Sequence, residues 1–173
     1  MHTEFLMGNA AIAMGAVAAG LNVVSGYPGT PSTEVLETTA RHNDGSIYVE
    51  WSANEKAAME LAAGAAYCGA RTMVTMKQVG LNVASDPLMS LAYIGVKGGM
   101  VVLVADDPGP ISSQTEQDTR RFAAFSKLPC FDPSGVQEAY DMIQEAFAIQ
   151  KSITRRYCFA PPPESVMGMP RFR

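Results

Sequence analysis

Residues 49–77 read VEWSANEKAAMELAAGAAYCGARTMVTMK. A strand pattern over Ser46–Glu50 runs into a helix pattern over Asn54–Cys68, and Gly69 breaks it before a second strand pattern over Thr72–Lys77. A strand, a short turn, a helix and another strand in this order predict two parallel strands joined by a right-handed crossover. The same alternation extends both ways. Further strands are expected at Asn22–Gly26, Met100–Ala105 and Pro129–Asp132. Helices are expected at Phe5–Ala19, Pro31–His42, Leu81–Tyr93, Gln114–Ser126 and Ser134–Gln150. The run MVVLVA at Met100–Ala105 is apolar at every position, as in a strand covered on both faces. The expected class is α/β, a three-layer sandwich around a mostly parallel twisted sheet.

A chain of 173 residues makes one domain and buries roughly 70% of its unfolded surface. Hydrophobic residues make up 47% and charged residues 17%, a globular composition. The net charge of −4 argues against a nucleic-acid or anionic-membrane surface. The three cysteines, Cys68, Cys130 and Cys158, lie far apart without a CxxC or a nearby histidine pair. That spacing predicts no metal or iron–sulfur ligands within the chain, and reduced cytoplasmic thiols. The apolar segment AAIAMGAVAAGL at residues 10–21 is too short to span a bilayer and follows Glu4 rather than a basic flank, so a buried helix is expected there.

In sheets of this class ligands sit outside the carboxyl ends of the strands, which directs attention to four loops. After the first strand, SGYPGTPSTEV offers Thr30 as an N-cap and Pro31 as the first helical residue. That is either a well-made junction or an anion site built from the Thr30 hydroxyl and free helix N–H groups. After the second strand, Glu55 opens a helix rich in alanine and glycine. It is either a first-turn acid complementing the helix dipole or a carboxyl that the surrounding small residues leave desolvated, with a raised pKa, able to exchange a proton with a ligand near neutral pH. Gly80 in MKQVGLN permits close backbone approach to a ring or phosphate but lacks the spacing of a nucleotide loop. The segment DDPGPISSQTEQD is longer than a minimal strand–helix connection. His2 and His42 read as surface residues, and Ser112–Ser113 have no paired histidine, against a nucleophilic triad.

Four stretches in order, SGYPGTPSTE, VEWSANEKAAMELAAGAAYCGAR, VTMKQVGLNVASDPLMSLAYIGVKGGMVVLVADDPGP and SSQTEQDTRRFAAF, resemble the α subunit of the indolepyruvate:ferredoxin oxidoreductases. These belong to the wider thiamine-diphosphate-dependent 2-oxoacid:ferredoxin oxidoreductases. The resemblance covers residues 4–150 and implies the thiamine-diphosphate-binding fold, with residues 1–150 as a pyrimidine-binding domain. It implies oxidative decarboxylation of an aryl 2-oxoacid with coenzyme A to an acyl-CoA, with ferredoxin as acceptor. Carried over position by position, Glu55 would be the glutamate that bonds the pyrimidine ring nitrogen and favours the tautomer that activates the thiazolium. Gln78, Val79 and Gly80 would lie near the cofactor ring, Tyr27 and Thr30 at the 2-oxoacid, and Lys77 and Asp106 at the border of the pocket.

In the family the cofactor lies between two domains, the second carrying a GDG metal motif and then a cysteine-rich segment. Neither motif stands in these 173 residues. The resemblance therefore implies half a thiamine diphosphate site. Mg²⁺ and iron–sulfur clusters would be held elsewhere, with a diphosphate-binding domain, a β subunit and ferredoxin as partners in a homodimer or larger assembly. The isolated chain is expected to be inactive. The tail, residues 151–173, has three consecutive prolines and no periodicity, and is expected to be irregular with the family's last strand lost. Shifting a back-translation of residues 152–170 by one base permits YHTPVLLRPTTRVCHGYA, similar to that strand, so a frameshift near Lys151 is expected. Two alternatives stay open: a subunit of another thiamine-diphosphate-dependent 2-oxoacid oxidoreductase or decarboxylase, or a noncatalytic α/β module that binds other subunits.

Overall fold

The computed structural model describes residues 4–107, 109–110 and 113–149, with the backbone of 157–159 and 171–172. Six strands, β2 (Val23–Gly26), β3 (Tyr48–Trp51), β4 (Thr72–Lys77), β5 (Met100–Ala105), β6 (Cys130–Phe131) and β7 (Tyr157–Phe159), form one sheet. Their order is β3-β2-β4-β5-β7-β6 and every neighbouring pair is parallel. A second, two-stranded sheet pairs β1 (Glu4–Phe5) with β8 (Arg171–Phe172), antiparallel. That pairing has no signal in the sequence pattern.

Alternation along the strands divides the core into two layers. Val24, Met73, Val101 and Leu103 face α1 (Gly8–Ala18), α2 (Thr33–Arg41) and α7 (Val136–Ile149). Val74, Met76, Met100, Val102 and Val104 face α3 (Glu55–Tyr67), α4 (Gln78–Val83), α5 (Ser85–Ile94) and α6 (Thr119–Ser126). All six residues of β5 are buried, which accounts for its unbroken apolar run. Each large side chain removed from water contributes about 1.5–3 kcal/mol. In α1, seven of eleven residues are buried, because α2 and α7 pack on it together. Gly15 lets α7 approach: a Cβ there would stand 2.5 Å from Ile143 Cγ2 and 2.8 Å from the Tyr140 carbonyl oxygen.

The α/β class and the parallel sheet agree with the sequence pattern, and several element boundaries are corrected. Thr30 and Pro31 do not open α2, which begins at Thr33. Ser32 donates through both its backbone N–H and its Oγ to the Gly29 carbonyl, each at 2.8 Å, while Gly29 N–H donates to Thr33 Oγ1 at 2.9 Å. These local bonds satisfy the chain in a turn and delay the helix. The single helix expected over Leu81–Tyr93 is two, α4 and α5, meeting at Ala84. Pro87 has no N–H to offer the Val83 carbonyl four residues back, which breaks the ladder there. The helix expected from Gln114 starts at Thr119, capped by Asp118, whose side chain accepts from Arg120 N–H.

The expected loss of the last strand is also corrected. Tyr157–Phe159 pairs with both β5 and β6; a short run with two aromatics suits a strand flanked on both sides. Of the tail called irregular, residues 151–156, 160–170 and 173 lie outside the described residues, and so does the position of the expected frameshift.

Candidate functional site

The carboxyl ends of β2, β3, β4 and β5 lie side by side, because their pairing runs in register from Val23 beside Thr72 to Lys77 beside Ala105. The loops that follow these strands therefore share one edge of the sheet. Gly26 ends β2 in close contact with β4, where a Cβ would collide with Thr75 Oγ1. Beyond it Tyr27 is 41% exposed and Thr30 is exposed. A cleft of about 320 Å³ opens beside Thr30 and Pro31, bordered by Met7, Asn9, Glu34 and Glu37.

After β3 the chain turns through Ser52–Asn54 into α3. The Asn54 side chain accepts from Ala57 N–H at 2.9 Å, the bond an N-cap supplies to an orphan donor. Glu55 is therefore the first residue of α3 and faces inward, only 8% exposed. Its carboxyl makes no hydrogen bond or ion pair among the described residues. What it touches is the backbone of Gly80: a Cβ there would stand 2.5 Å from Glu55 Oε1, 2.7 Å from Cγ and 2.9 Å from Cδ. The small residues of α3 have a separate use. Ala58, Ala62, Ala63 and Ala66 are buried against the sheet and α5, so the alanine-rich run is core, while its first residue is turned to the strand ends.

Lys77, the last residue of β4, lies over the β2 loop, with a Gly29 Cβ position 3.1 Å from its Cγ and Cδ. Its ammonium has no ion pair among the described residues. Gln78 follows and is fully buried, so its amide does not reach the open side of the site. Its Nε2 donates to the Thr115 carbonyl at 3.1 Å, and Oε1 accepts from Ser113 Oγ at 3.5 Å. Val79 is half-buried and Gly80 buried.

At the end of β5, Asp106 Oδ2 accepts from Thr119 N–H at 3.0 Å and Thr119 Oγ1 at 2.7 Å. Its Oδ1 is buried without a partner among the described residues. Burial pushes the Asp106 carboxyl above the ordinary carboxylate range, and the Thr119 bonds only partly offset this. Asp106 thus closes the base of the long loop after β5. Among the described residues no group of three or more His, Cys, Asp or Glu is placed to hold a metal ion.

The structure brings Glu55 and Gly80 together, and Lys77 against Gly29. Two structural residues were not singled out from the sequence. Asn9, 2% exposed, donates through Nδ2 to the Pro31 carbonyl at 2.8 Å and to Glu34 Oε2 at 2.7 Å, tying α1 to the β2 loop. Its signal was an amide inside an apolar helix. Asn82 exchanges amide hydrogen bonds with Gln117 at 3.2 and 3.3 Å, a pairing that sequence spacing does not foretell.

Known proteins bear directly on this edge. The chain is 49% identical to indolepyruvate oxidoreductase subunit IorA of Archaeoglobus fulgidus over 152 residues, 85% of this chain and 24% of that protein. It is 50% identical to the subunit of that name from Pyrococcus abyssi over 147 residues, 84% of this chain and 23% of that protein. It is 31% identical to 2-oxoglutarate synthase subunit KorA of Methanocaldococcus jannaschii, over 85% of this chain and 42% of that protein. The chain thus spans about a quarter of the length of the indolepyruvate relatives. Among solved structures, the 2-oxoglutarate:ferredoxin oxidoreductase from Magnetococcus marinus, with 2-oxoglutarate, coenzyme A and succinyl-CoA bound, superposes with a TM-score of 0.84. It covers 95% of this chain and 30% of the other at 21% identity, a shared fold. The family model described as pyruvate flavodoxin/ferredoxin oxidoreductase, thiamine diphosphate-binding, matches residues 14–155. That span takes in every strand end of the site, and the chain belongs to this family.

Proposed function

We propose that the chain is the pyrimidine-binding part of an arylpyruvate:ferredoxin oxidoreductase, with Glu55 as the residue that exchanges a proton with thiamine diphosphate. The observation that carries this reading is the Glu55 carboxyl, nearly buried, without a protein partner among the described residues and pressed on a backbone with no Cβ. Such a carboxyl, without a protein partner among the described residues at the end of the strands, leaves its oxygens open to a ligand donor. A flat ring nitrogen fits that requirement. When bound, the cofactor supplies the electron sink for decarboxylation. This chain's part is to hold a proton between Glu55 and a pyrimidine ring nitrogen, and to exclude water with Val79 and Gly80 as one wall. Thr30 and Tyr27, exposed on the neighbouring loop, are assigned to the 2-oxoacid.

An aryl substrate is favoured because relatives at 49–50% identity are indolepyruvate oxidoreductase subunits. The 2-oxoglutarate and ketoisovalerate relatives stand at 31% and 29%. In this proposal a diphosphate-binding domain with Mg²⁺, iron–sulfur clusters, a β subunit, ferredoxin and coenzyme A complete a cytoplasmic enzyme of at least two copies. Residues 1–150 form the pyrimidine-binding domain, whose sheet Tyr157–Phe159 joins between β5 and β6. The test is Glu55→Gln at the matching position of a full-length, reconstituted relative. Exchange of the thiazolium C2 proton, followed by NMR after acid quench, should slow by roughly 10²–10⁴-fold, the span of a lost acid–base group. Exchange at the wild-type rate would return Glu55 to the role of a first-turn acid.

A further inference from the structure

Helix α4 is six residues long (Gln78–Val83), too short to be stable by its own hydrogen bonds, so contacts on its sides must fix its position. Residues two apart on a helix lie about 200° around its axis and residues four apart share a face. Gly80 accordingly meets Glu55 on one side, while Gln78 and Asn82 point together to the other. There they meet the loop after β5. Gln78 Nε2 donates to the Thr115 carbonyl at 3.1 Å and Oε1 accepts from Ser113 Oγ at 3.5 Å. One turn on, Asn82 and Gln117 exchange two amide bonds at 3.2 and 3.3 Å. Asp106 ties the two ends of the loop through Thr119.

We infer that Gln78 is a positioning residue: its buried amide, seconded by Asn82, clasps residues 113–117 onto α4 and so holds Gly80 against the Glu55 carboxyl. This inference rests on the proposed role of Glu55 and changes the part expected for Gln78, whose amide serves the loop rather than the cofactor. The placement of Gly80 leaves no tolerance, since a single added carbon would collide with Glu55. A helix of one and a half turns keeps such a contact only if it is braced from behind. Gln78 is suited to this, because a fully buried amide strongly disfavours the loss of its partners. The bond to a backbone carbonyl also makes the clasp independent of the side chain at Thr115.

The test uses the 173-residue chain without cofactor, labelled with ¹⁵N and ¹³C. Gln78→Met keeps the volume and removes the amide. Backbone order parameters of residues 113–117 should fall from the rigid range near about 0.85 to below about 0.6. The Gly80 amide and Glu55 carboxyl ¹³C resonances should shift with them. Unchanged order parameters would overturn the clasp. Loosened residues with Gly80 and Glu55 unmoved would overturn the positioning role and leave a loop staple. Gln78→Glu separates hydrogen bonding from packing. Burial raises the pKa of a carboxyl at this position, so the variant is titrated from acid to alkaline pH. The protonated form keeps a donor for the Thr115 carbonyl and should hold the clasp closed, whereas the carboxylate faces that carbonyl and should open it. A response as flat as that of Gln78→Met across the whole titration would count against the inference. Should Gln78→Met fail to fold, Asn82→Ala, at an exposed position, should raise the mobility of residue 117 and shift Gly80 more weakly, and a wild-type spectrum would overturn the clasp. None of these readouts needs thiamine diphosphate. Failure of the Glu55→Gln exchange assay would therefore sink the proposed function without touching the clasp.

Discussion

Gly80 approaches Glu55 so closely that a Cβ would stand 2.5 Å from Oε1 and 2.7 Å from Cγ. The contact couples the first residue of α3 to the third of α4. Gly80→Ala should therefore destabilise by about 1–3 kcal/mol through overpacking, even though alanine is the better helix former by about 1 kcal/mol. Combining it with Glu55→Ala removes the obstructing side chain. The double-mutant cycle by urea denaturation should show a coupling of about 1–2 kcal/mol, as for residues in contact. Additive effects would mean the two residues do not touch in solution.

Asp106 gives a pH prediction. Burial raises its carboxyl above the usual value of 3.8, so between that value and its folded pKa the native state holds a proton that the unfolded chain has lost. Stability contributed by this group is full below pH 3.8 and declines as pH rises through the folded value. Exposed Asp118, lowered chiefly by its bond from Arg120, and Glu138, lowered by Ser134, act in the opposite sense. The comparison is therefore wild type against Asp106→Asn, which keeps an acceptor for Thr119. The difference in Tm, Asp106→Asn minus wild type, should grow in the variant's favour from about pH 3.5 to about pH 7. A constant difference would show that Asp106 does not titrate abnormally.

The Asn54 side chain holds the first turn of α3 through Ala57 N–H. Asn54→Ala should cost about 1 kcal/mol in urea denaturation, within the roughly 0.5–2 kcal/mol range of lost N-caps. Since Glu55 is the next residue, fraying should also broaden the Glu55 side-chain resonances. Loss of stability without broadening would detach the cap from the placement of Glu55.

On the proposal that these residues form one half of a cofactor site, calorimetry of the 173-residue chain with thiamine diphosphate and Mg²⁺ should show no saturable heat at micromolar concentrations. Micromolar affinity corresponds to about 8 kcal/mol, more than pyrimidine contacts alone should supply once the cost of immobilising the ligand is met. Micromolar binding would place the diphosphate site within this chain.

Sequence pattern alone determined the layering of this protein and directed attention to the carboxyl ends of its strands. The alternation of strand and helix patterns and the unbroken apolar run of Met100–Ala105 depend on local spacing, and parallel connection follows from it. Glu55 was legible for the same reason, as an acid placed at a strand–helix turn and followed by small residues. Only the tertiary structure decided what those residues touch. Glu55 against Gly80 spans 25 positions, and Gln78 with Thr115 spans 37; such contacts depend on how separate elements pack. The entry of Tyr157–Phe159 between β5 and β6 shares that origin, whereas the late start of α2 and the break at Ala84 come from local turn bonds and from Pro87. In β7, strand pairing formed in the folded chain outweighs a propensity too weak to prevail alone.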